Sequence, residues 1–239
     1  MTKAVVLAAG KGTRMGALTA EVPKPMLLVS GKPLLEHVLE RLRTAGIESV
    51  FLVTGYRAET IEQHFAGYPM PLVFRRQESL NGTARATLLA RDFAGEDGFL
   101  LTYGDILVSA QDYRGIGAQL EADSATSGVL GVKRVEDPWQ GAAVYEEQGR
   151  VTKIVEKPAR GSSSTHWNSA GLYAFTPAIF DELEKVAPSA RGEYEVASAI
   201  ENQIDAGVRV EMYEIQGAWC DVGRPEDLAA AASILASSA

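Results

Sequence analysis

The first hundred residues alternate between short apolar, β-rich runs and longer stretches with the spacing of an amphipathic helix. The strand-like runs are residues 3–8, 49–54, 72–75 and 98–103, and the helical stretches are 33–45, 58–65 and 83–91. A strand, a helix and a second strand in this order form a βαβ unit, whose two strands lie parallel in one sheet. The repeat therefore predicts an α/β architecture with a mostly parallel sheet.

The pattern changes after Gly128, where strand-like runs follow one another without long helices between them. These runs are residues 128–133, 141–146, 151–156 and 171–175. Strands joined by short turns are typical of antiparallel pairing, so we expect antiparallel strands in this part. Thr176 and Pro177 together predict a helix N-cap followed by proline at the first helical position.

A helical stretch at 194–206, strands at 208–215 and 218–222, and an alanine-rich helix at 225–236 complete the chain. No segment has the length and composition of a linker between domains. We therefore expect a single domain over residues 1–239, with a first part at about 1–125 and a second part, including the closing elements, at about 126–239.

Charge and cysteine content exclude several classes of protein. The 239 residues carry a net charge of −8 with a pI near 5.0, the wrong sign for a general nucleic-acid binder. No apolar run approaches the ~20 residues that span a bilayer, and the N-terminus lacks the basic start of a secretory signal. Cys220, the single cysteine, cannot form an internal disulfide. We expect a cytoplasmic protein that binds neither nucleic acid nor membrane.

A glycine-rich loop with two cations follows the first predicted strand. Gly10, Gly12 and Gly16 lie in this loop, together with Lys11 and Arg14. Small residues let backbone N–H groups close around phosphate oxygens. The loop is not a P-loop, because no Gly-Lys-Ser/Thr ends it. It is not a dinucleotide fingerprint either, because methionine takes the place of the third glycine.

The sequence G-x-G-T-R-M, followed by Pro23-Lys24-Pro25, resembles the signature of the sugar-phosphate nucleotidylyltransferase family. The resemblance implies a GT-A-like, Rossmann-related α/β fold, with a mixed, mostly parallel sheet flanked by helices and a small antiparallel sugar-binding lobe. It also implies that Arg14 holds the β- and γ-phosphates of a nucleoside triphosphate and that Lys24 approaches the α-phosphate. The other loop residues that it assigns to nucleotide binding are Leu7, Ala8, Ala9, Gly10, Gly12 and Thr13.

Two aspartates in distant segments are candidates for a metal site. Asp105 follows the strand-like run at 98–103, and Asp221 lies between the last predicted strand and the last helix. Open α/β sheets bind ligands at the carboxyl ends of their parallel strands. Mg²⁺ takes one or two carboxylates together with substrate phosphates. The family has a Gly-Asp and a later Asp-x-Gly-x-Pro-Glu at its metal site, so the resemblance implies that Asp105 and Asp221 bind Mg²⁺.

Other segments resemble the parts of the family that contact the base and the sugar. Gln77, followed by Gly82 and Thr83, resembles the base-contacting segment. Glutamine offers a donor and acceptors to a base edge, and glycine allows the base to approach the backbone closely. The residues that the resemblance assigns to the sugar 1-phosphate are Gly141, Glu156, Lys157, Asn168 and Gly171.

Within this sugar set, the resemblance implies that Lys157 meets the phosphate and Glu156 the sugar hydroxyls. Gln140 departs from the family pattern, in which tyrosine commonly precedes Gly141, so the sugar itself stays open. The segment 191–195, R-G-E-Y-E, also resembles a family segment near the sugar. Its acidic residues alone are equally typical of a solvated helix start, and that is the interpretation we take from the sequence.

The implied reaction is in-line attack of a phosphate oxygen on the α-phosphorus, with release of pyrophosphate. A phosphate monoester has its second pKa at about 6, so the nucleophile is already ionised at neutral pH and needs no general base. The chemistry instead requires cations that offset the repulsion between two anions. The candidate catalytic set is Arg14, Lys24, Asp105, Lys157 and Asp221.

Two other functions fit parts of the same pattern. A cytidylyltransferase acting on phosphocholine or a related alcohol phosphate shares the loop and the Pro-Lys, and Trp139 and Trp167 are possible walls for a quaternary ammonium. A non-catalytic, nucleotide-sensing regulatory subunit could keep the fold, although it would not need both aspartates. The identity of the base stays open, with UTP and dTTP favoured, and we expect a monomer or a simple homo-oligomer.

Overall fold

The computed structural model describes residues 1–237 and contains thirteen strands and eight α-helices in that range. The strands are β1 (Lys3–Leu7), β2 (Leu28–Val29), β3 (Lys32–Pro33), β4 (Ser49–Thr54), β5 (Leu72–Arg76), β6 (Phe99–Tyr103), β7 (Ile106–Val108), β8 (Thr126–Arg134), β9 (Ala142–Glu147), β10 (Arg150–Glu156), β11 (Trp167–Phe175), β12 (Arg209–Glu214) and β13 (Trp219–Asp221). The helices are α1 (Leu34–Thr44), α2 (Ala58–His64), α3 (Thr83–Leu88), α4 (Arg91–Ala94), α5 (Ala110–Ala122), α6 (Ile179–Lys185), α7 (Val196–Asp205) and α8 (Asp227–Ser237).

Nine strands form one sheet in the order β5-β4-β1-β6-β11-β8-β12-β10-β9. The pairs among β5, β4, β1 and β6 are parallel, as the βαβ repeat predicts. Beyond β6 the pairs are antiparallel, except that β12 runs parallel to β8. The fold is therefore α/β with a mixed sheet, and a mostly parallel sheet is not confirmed.

The antiparallel strands of the second part do not form a separate sheet. Strand β11 pairs with β6 on one side and with β8 on the other, so the sheet continues across the boundary near residue 125. The division of the chain into nucleotide and sugar parts, and the sugar-binding role of the second part, stay predictions. The antiparallel pairing among β8, β9, β10 and β11 agrees with the expectation from the short spacing of these runs.

Two buried clusters, one on each face of the sheet, form the core. Alternate residues of β1 supply them: Ala4 and Val6 belong to one cluster, and Val5 and Leu7 to the other. Because both faces of the central strands are covered, these strands carry apolar residues at successive positions rather than at alternate ones. In the part of the chain that the structure describes, no helix combines the length and the apolar character needed to cross a membrane.

Several predicted element bounds differ from the structure for local reasons. The helical stretch at 83–91 is interrupted, because α3 ends at Leu88 and α4 begins at Arg91. Thr176 does not cap a helix: its hydroxyl donates to the Ser127 carbonyl, and α6 begins only at Ile179. The pattern also gave no indication of α5, the longest helix of the described chain, or of β7.

Strands β7 and β13 form a separate two-stranded ribbon below the cleft described next. Ile106 pairs with Asp221 and Val108 pairs with Trp219 in antiparallel register. The Val222 N–H donates to the Asp105 carbonyl at 3.0 Å, which continues the pairing past the end of β13. The ribbon therefore brings together two segments that are separated by more than a hundred residues in the sequence.

Candidate active site

The glycine-rich loop leaves the sheet where β1, β4 and β6 end. The Ala8 N–H donates to the Val53 carbonyl, and the Gly104 N–H donates to the Leu7 carbonyl, so the loop lies between the carboxyl ends of three parallel strands. Gly12 has a φ of +62°, and a Cβ at this position would lie 2.8 Å from the Cβ of Lys24. Only glycine fits this backbone conformation and this contact together.

Lys24 lies beneath the loop and pairs with one of the candidate metal ligands. Its side-chain nitrogen is 2.5 Å from an Asp105 carboxylate oxygen, and the residue is only 5% exposed. Lysine is almost never buried to this extent without a partner. Gly12 therefore packs over a cation whose charge is already balanced by Asp105 in the free protein.

Asp221 faces Asp105 across the end of the ribbon. Its side chain is open to the cleft but has protein on its other sides, and the resulting desolvation raises its pKa to about 6. The negative charge of Asp105 raises the pKa further, whereas Lys24 and Arg14 act in the opposite direction. Asp227 also raises the pKa, so three carboxylates, Asp105, Asp221 and Asp227, lie near only two cations and leave a net negative charge.

This excess of negative charge fits a divalent cation. Carboxylate oxygens are the ligands that Mg²⁺ prefers, and it commonly takes only one or two of them, with phosphate oxygens supplying the rest. Within residues 1–237 no cluster of three or more acidic, histidine or cysteine side chains has metal-site geometry. The site would therefore hold Mg²⁺ through two aspartates and depend on a phosphorylated ligand to complete its coordination.

A cleft of about 850 Å³ lies above these aspartates and continues over the antiparallel half of the sheet. Such a volume accommodates a ligand of several hundred daltons. Nine of the residues that the sequence predicts for the site line it: Arg14, Thr83, Asp105, Gly141, Glu156, Lys157, Asn168, Gly171 and Asp221. The predicted residues outside this lining are Leu7, Ala8, Ala9, Gly10, Gly12, Thr13, Lys24, Gln77 and Gly82.

One arginine and three glutamates form a charged cluster at the far end of the cleft. Arg191 lies 2.5 Å from a carboxylate oxygen of Glu195, and 3.6 Å from one of Glu156 and one of Glu193. Burial raises the pKa of Glu156 to about 7, and the neighbouring Glu195 charge adds to this. Glu195 is only 4% exposed, so the interpretation of segment 191–195 as a solvated helix start is wrong at this residue.

Gly141 and Asn168 fit closely against each other in this part of the cleft. A Cβ at Gly141 would lie 2.3 Å from the side-chain oxygen of Asn168, so any larger residue would displace the amide. The Gly141 carbonyl accepts a hydrogen bond from the Lys157 N–H at 2.7 Å. Lys157 has a φ of +44°, which is rare for a residue with a side chain. Gly141 thus positions both Asn168 and Lys157.

The predicted base-contacting segment is held by its own hydrogen bonds. The Gln77 amide donates to the Gly82 carbonyl at 3.0 Å and to the side chain of Asn81 at 3.2 Å. A Cβ at Gly82 would lie 2.3 Å from the Tyr194 carbonyl oxygen. The backbone of Tyr194 therefore packs so closely against residue 82 that only glycine fits there. This contact explains the glycine without any contact to a nucleotide base.

The two tryptophans that could have formed an aromatic box do not share a cavity. Trp139 lines the main cleft, whereas Trp167 lines a separate depression on the β9 side of the sheet. An arginine guanidinium already lies over each ring, Arg160 over Trp139 at 5.6 Å and Arg134 over Trp167 at 5.8 Å. This geometry does not provide a cage for a quaternary ammonium group.

Comparison with known proteins decides the family. The family model described as nucleotidyl transferase matches residues 3–238. The chain belongs to the nucleotidyl transferase family. The match covers both halves of the sheet, so the glycine loop, the ribbon and the antiparallel strands all lie within it.

Among its relatives is the UTP–glucose-1-phosphate uridylyltransferase AglF of Haloferax volcanii, 38% identical over 94% of this chain and 93% of AglF. The bifunctional protein GlmU of Methanocaldococcus jannaschii is 34% identical over 94% of this chain, but the chain spans only 52% of GlmU. A solved structure from Bacillus anthracis, assigned as a glucose-1-phosphate thymidylyltransferase, has a TM-score of 0.87 and 25% identity, and the match covers 98% of this chain and 95% of that one.

Sequence reasoning missed several residues of this nucleotidyl transferase site. Asp227 organises the turn after Asp221, because one of its carboxylate oxygens accepts the N–H groups of Gly223 and Arg224. The motif had directed attention to the neighbouring Glu226. Arg160 forms one rim of the cleft together with Trp139, which the sequence had suggested only as a wall for a quaternary ammonium. Nothing local in the sequence distinguishes Asp227 or Arg160 from ordinary surface residues.

Proposed function

We propose that this nucleotidyltransferase condenses a nucleoside triphosphate with a sugar 1-phosphate, giving a nucleoside diphosphate sugar and pyrophosphate. The observation that carries the proposal is one cleft that contains an acidic pair near Lys24 at one end and a lysine–glutamate pair, Lys157 with Glu156, at the other. In support, AglF is a UTP–glucose-1-phosphate uridylyltransferase and is similar to this chain over nearly its whole length. UTP with a hexose 1-phosphate is therefore the first substrate pair to test.

In the proposed reaction, an ionised phosphate oxygen of the sugar 1-phosphate attacks the α-phosphorus of the nucleotide. The new P–O bond forms as the bond to the bridging oxygen of the β-phosphate breaks, and pyrophosphate leaves with the electron pair. Arg14 and the glycine loop bind the β- and γ-phosphates, Lys24 approaches the α-phosphate and Lys157 holds the acceptor phosphate. Asp105 and Asp221 would hold Mg²⁺, which would supply positive charge to offset the negative charge of the phosphates.

The other residues of the site bind and orient the two substrates. Leu7, Ala8 and Ala9 lead the chain into the loop, and Gly10, Gly12 and Thr13 present backbone N–H groups to the phosphates. We assign base contact to Gln77, Gly82 and Thr83, and sugar contact to Gly141, Glu156, Asn168 and Gly171. The substrates would thus be two small molecules, in agreement with an acidic protein in which positive charge is local.

The proposal is tested by measuring pyrophosphate release with UTP, dTTP, CTP and GTP against a panel of sugar 1-phosphates and phosphocholine. We expect turnover that requires Mg²⁺, a nucleotide and a sugar 1-phosphate together, with the nucleotide sugar formed in equal amount. Asp221→Asn should lower kcat by about 10²–10³-fold. Asp181→Asn, the same change on the exposed surface of α6, should have no effect.

Two results would contradict the proposal. Pyrophosphate release without a sugar 1-phosphate would indicate hydrolysis, and full activity of Asp221→Asn would remove the acidic pair from the mechanism. Turnover of CTP with phosphocholine alone would favour the alcohol-phosphate alternative. Binding of nucleotide with no turnover of any pair would favour a regulatory subunit.

A further inference from the structure

Asp112 is a fully buried carboxylate that the mechanism does not use. It lies in the first turn of α5 and has no exposed surface. A buried carboxylate is stable only where its oxygens accept hydrogen bonds. Each Asp112 oxygen here has two donors, and only one of the four comes from the same helix start.

The donors come from two distant parts of the chain. One oxygen accepts the Gln216 N–H at 2.8 Å and the Tyr213 hydroxyl at 3.2 Å. The other accepts the Gly217 N–H at 2.9 Å and the Ser109 hydroxyl at 2.7 Å. Ser109 also caps α5 by accepting the Asp112 N–H. Asp112 thus joins the start of α5 to the turn that leads from β12 to β13.

Two glycines make room for this network. A Cβ at Gly217 would lie 2.6 Å from the Ser109 hydroxyl and 2.8 Å from an Asp112 oxygen. A Cβ at Gly115, inside α5, would lie 2.3 Å from the Tyr213 hydroxyl. Glycine inside a helix is less favourable than alanine, so both the turn and the helix are shaped around the hydrogen bonds to Asp112.

The position of the network on the ribbon connects it to the site. Strands β7 and β13 pair through only three residue pairs, and a two-stranded ribbon of this size is marginally stable by itself. Asp105 and Asp221 lie at one end. Ser109 and Gly217 lie at the other, each four residues along the chain from its aspartate, or roughly 13 Å in extended backbone. The hydrogen bonds to Asp112 at one end of the ribbon therefore fix the strand register and the distance between the two aspartates at the other end.

We propose that Asp112 is a positioning residue, which fixes the ribbon so that Asp105 and Asp221 are held together for the metal. The inference rests on the proposed function through the role of these two aspartates. It predicts that Asp112→Asn weakens metal binding. The asparagine amide replaces one accepting oxygen with an NH₂ group, which would face two hydrogen-bond donors and could accept from neither. Asp112 acts through the ribbon and does not contact Asp105 or Asp221, so we expect a loss of about 10-fold, the lower end of the range for residues that hydrogen-bond directly to metal ligands.

The test is direct binding of Mn²⁺ in the presence of UTP, with free Mn²⁺ measured by electron paramagnetic resonance. The Mn²⁺·UTP complex without protein provides the background, and thermal unfolding is measured in parallel. We expect Asp112→Asn to bind Mn²⁺ about 10-fold more weakly, with a lower kcat and an unchanged KM for the sugar 1-phosphate. Tyr213→Phe, which removes a single donor, should show a smaller change in the same direction and serves if Asp112→Asn does not fold.

Leu120→Ala is the matched control for loss of stability. Leu120 lies on the same helix, is buried, and its side chain is near Gly98, before the start of β6 and away from the ribbon. It should lower the unfolding temperature without changing Mn²⁺ affinity. If Leu120→Ala weakens Mn²⁺ binding as much as Asp112→Asn does, or if neither Asp112→Asn nor Tyr213→Phe weakens it, the positioning role is overturned. If Asp221→Asn also leaves Mn²⁺ binding unchanged, the proposed metal site fails instead.

Discussion

The two ends of the cleft hold their charges in opposite ways. At the proposed nucleotide end a single buried lysine is paired with an aspartate, and we propose that backbone N–H groups of the glycine loop bind the phosphates. At the proposed sugar end a single arginine lies among three glutamates, one of which is nearly inaccessible. The first arrangement suits a highly charged phosphate chain, and the second suits hydroxyl groups that donate hydrogen bonds to carboxylates.

The difference follows from the sheet. The nucleotide end is built where parallel strands finish, so their connecting loops converge on one edge. The sugar end is built on antiparallel strands, and its charged side chains come from β10 and from the segment that precedes α7. Substitutions at the first end should therefore affect turnover, whereas those at the second should affect substrate binding or pH dependence.

The largest effect is expected for Lys24→Met. It removes the cation beneath the glycine loop and leaves the Asp105 carboxylate without its 2.5 Å partner, so kcat should fall by about 10²–10³-fold. Lys32→Met is the matched control, because Lys32 forms an ion pair of the same length with Glu40 on the exposed surface. Steady-state kinetics of both variants would decide, and equal activity of the two would contradict a role for Lys24 in the reaction.

A smaller and more selective effect is expected for Lys157→Ala. Loss of one charged hydrogen bond to the acceptor phosphate should raise the KM for the sugar 1-phosphate roughly 10-fold, with the nucleotide KM almost unchanged. Lys153→Ala, an exposed lysine on β10, the strand that ends just before Lys157, controls for the loss of charge. An increase confined to the nucleotide KM would show that the two ends of the cleft have been assigned in reverse.

The smallest effect is the pH dependence that Glu156 confers on stability. Its pKa is raised from an ordinary value of 4.5 to about 7, so the folded state holds a proton that the unfolded state releases. Protonated Glu156 therefore contributes to the free energy of unfolding. This contribution is fully present below pH 4.5 and is lost as the pH rises through about 7. The glutamine of Glu156→Gln does not titrate. As the pH is raised from 5 to 8, the unfolding free energy of this variant should therefore rise relative to that of the wild type by on the order of 1–2 kcal/mol.

Urea unfolding at several pH values measures this difference. Glu147→Gln, at an exposed position on β9, provides the baseline for loss of a surface carboxylate. A constant difference between wild type and Glu156→Gln across the range would show that Glu156 is not desolvated in the folded protein. If the wild type instead became more stable than the variant as the pH rises, the positive charges of Arg191 and Lys157 would lower the pKa of Glu156 by more than its desolvation raises it.

Sequence patterns predicted the parallel half of the fold well, because its strands are apolar on both faces and its helices have a clear apolar stripe. They failed at α5, where Gly115 and Gly117 interrupt the helical pattern and the apolar stripe is weak. Gly115 is explained only by Tyr213, a residue almost a hundred positions away. Thr176 failed for a similar reason, since its hydroxyl is used by Ser127 and is not free to cap α6.

By itself, the sequence determined the alternation of strands and helices, the glycine loop and the ordered motifs that indicate the family, because these depend on residues close together in the chain. Only the tertiary structure decided that the sheet is mixed, that Trp139 and Trp167 face different cavities and that Glu195 is buried. It also decided that Asp112 accepts hydrogen bonds from the turn that leads into β13, the strand that carries Asp221. Such contacts depend on strand order and on packing between distant segments, which no local pattern of side chains encodes.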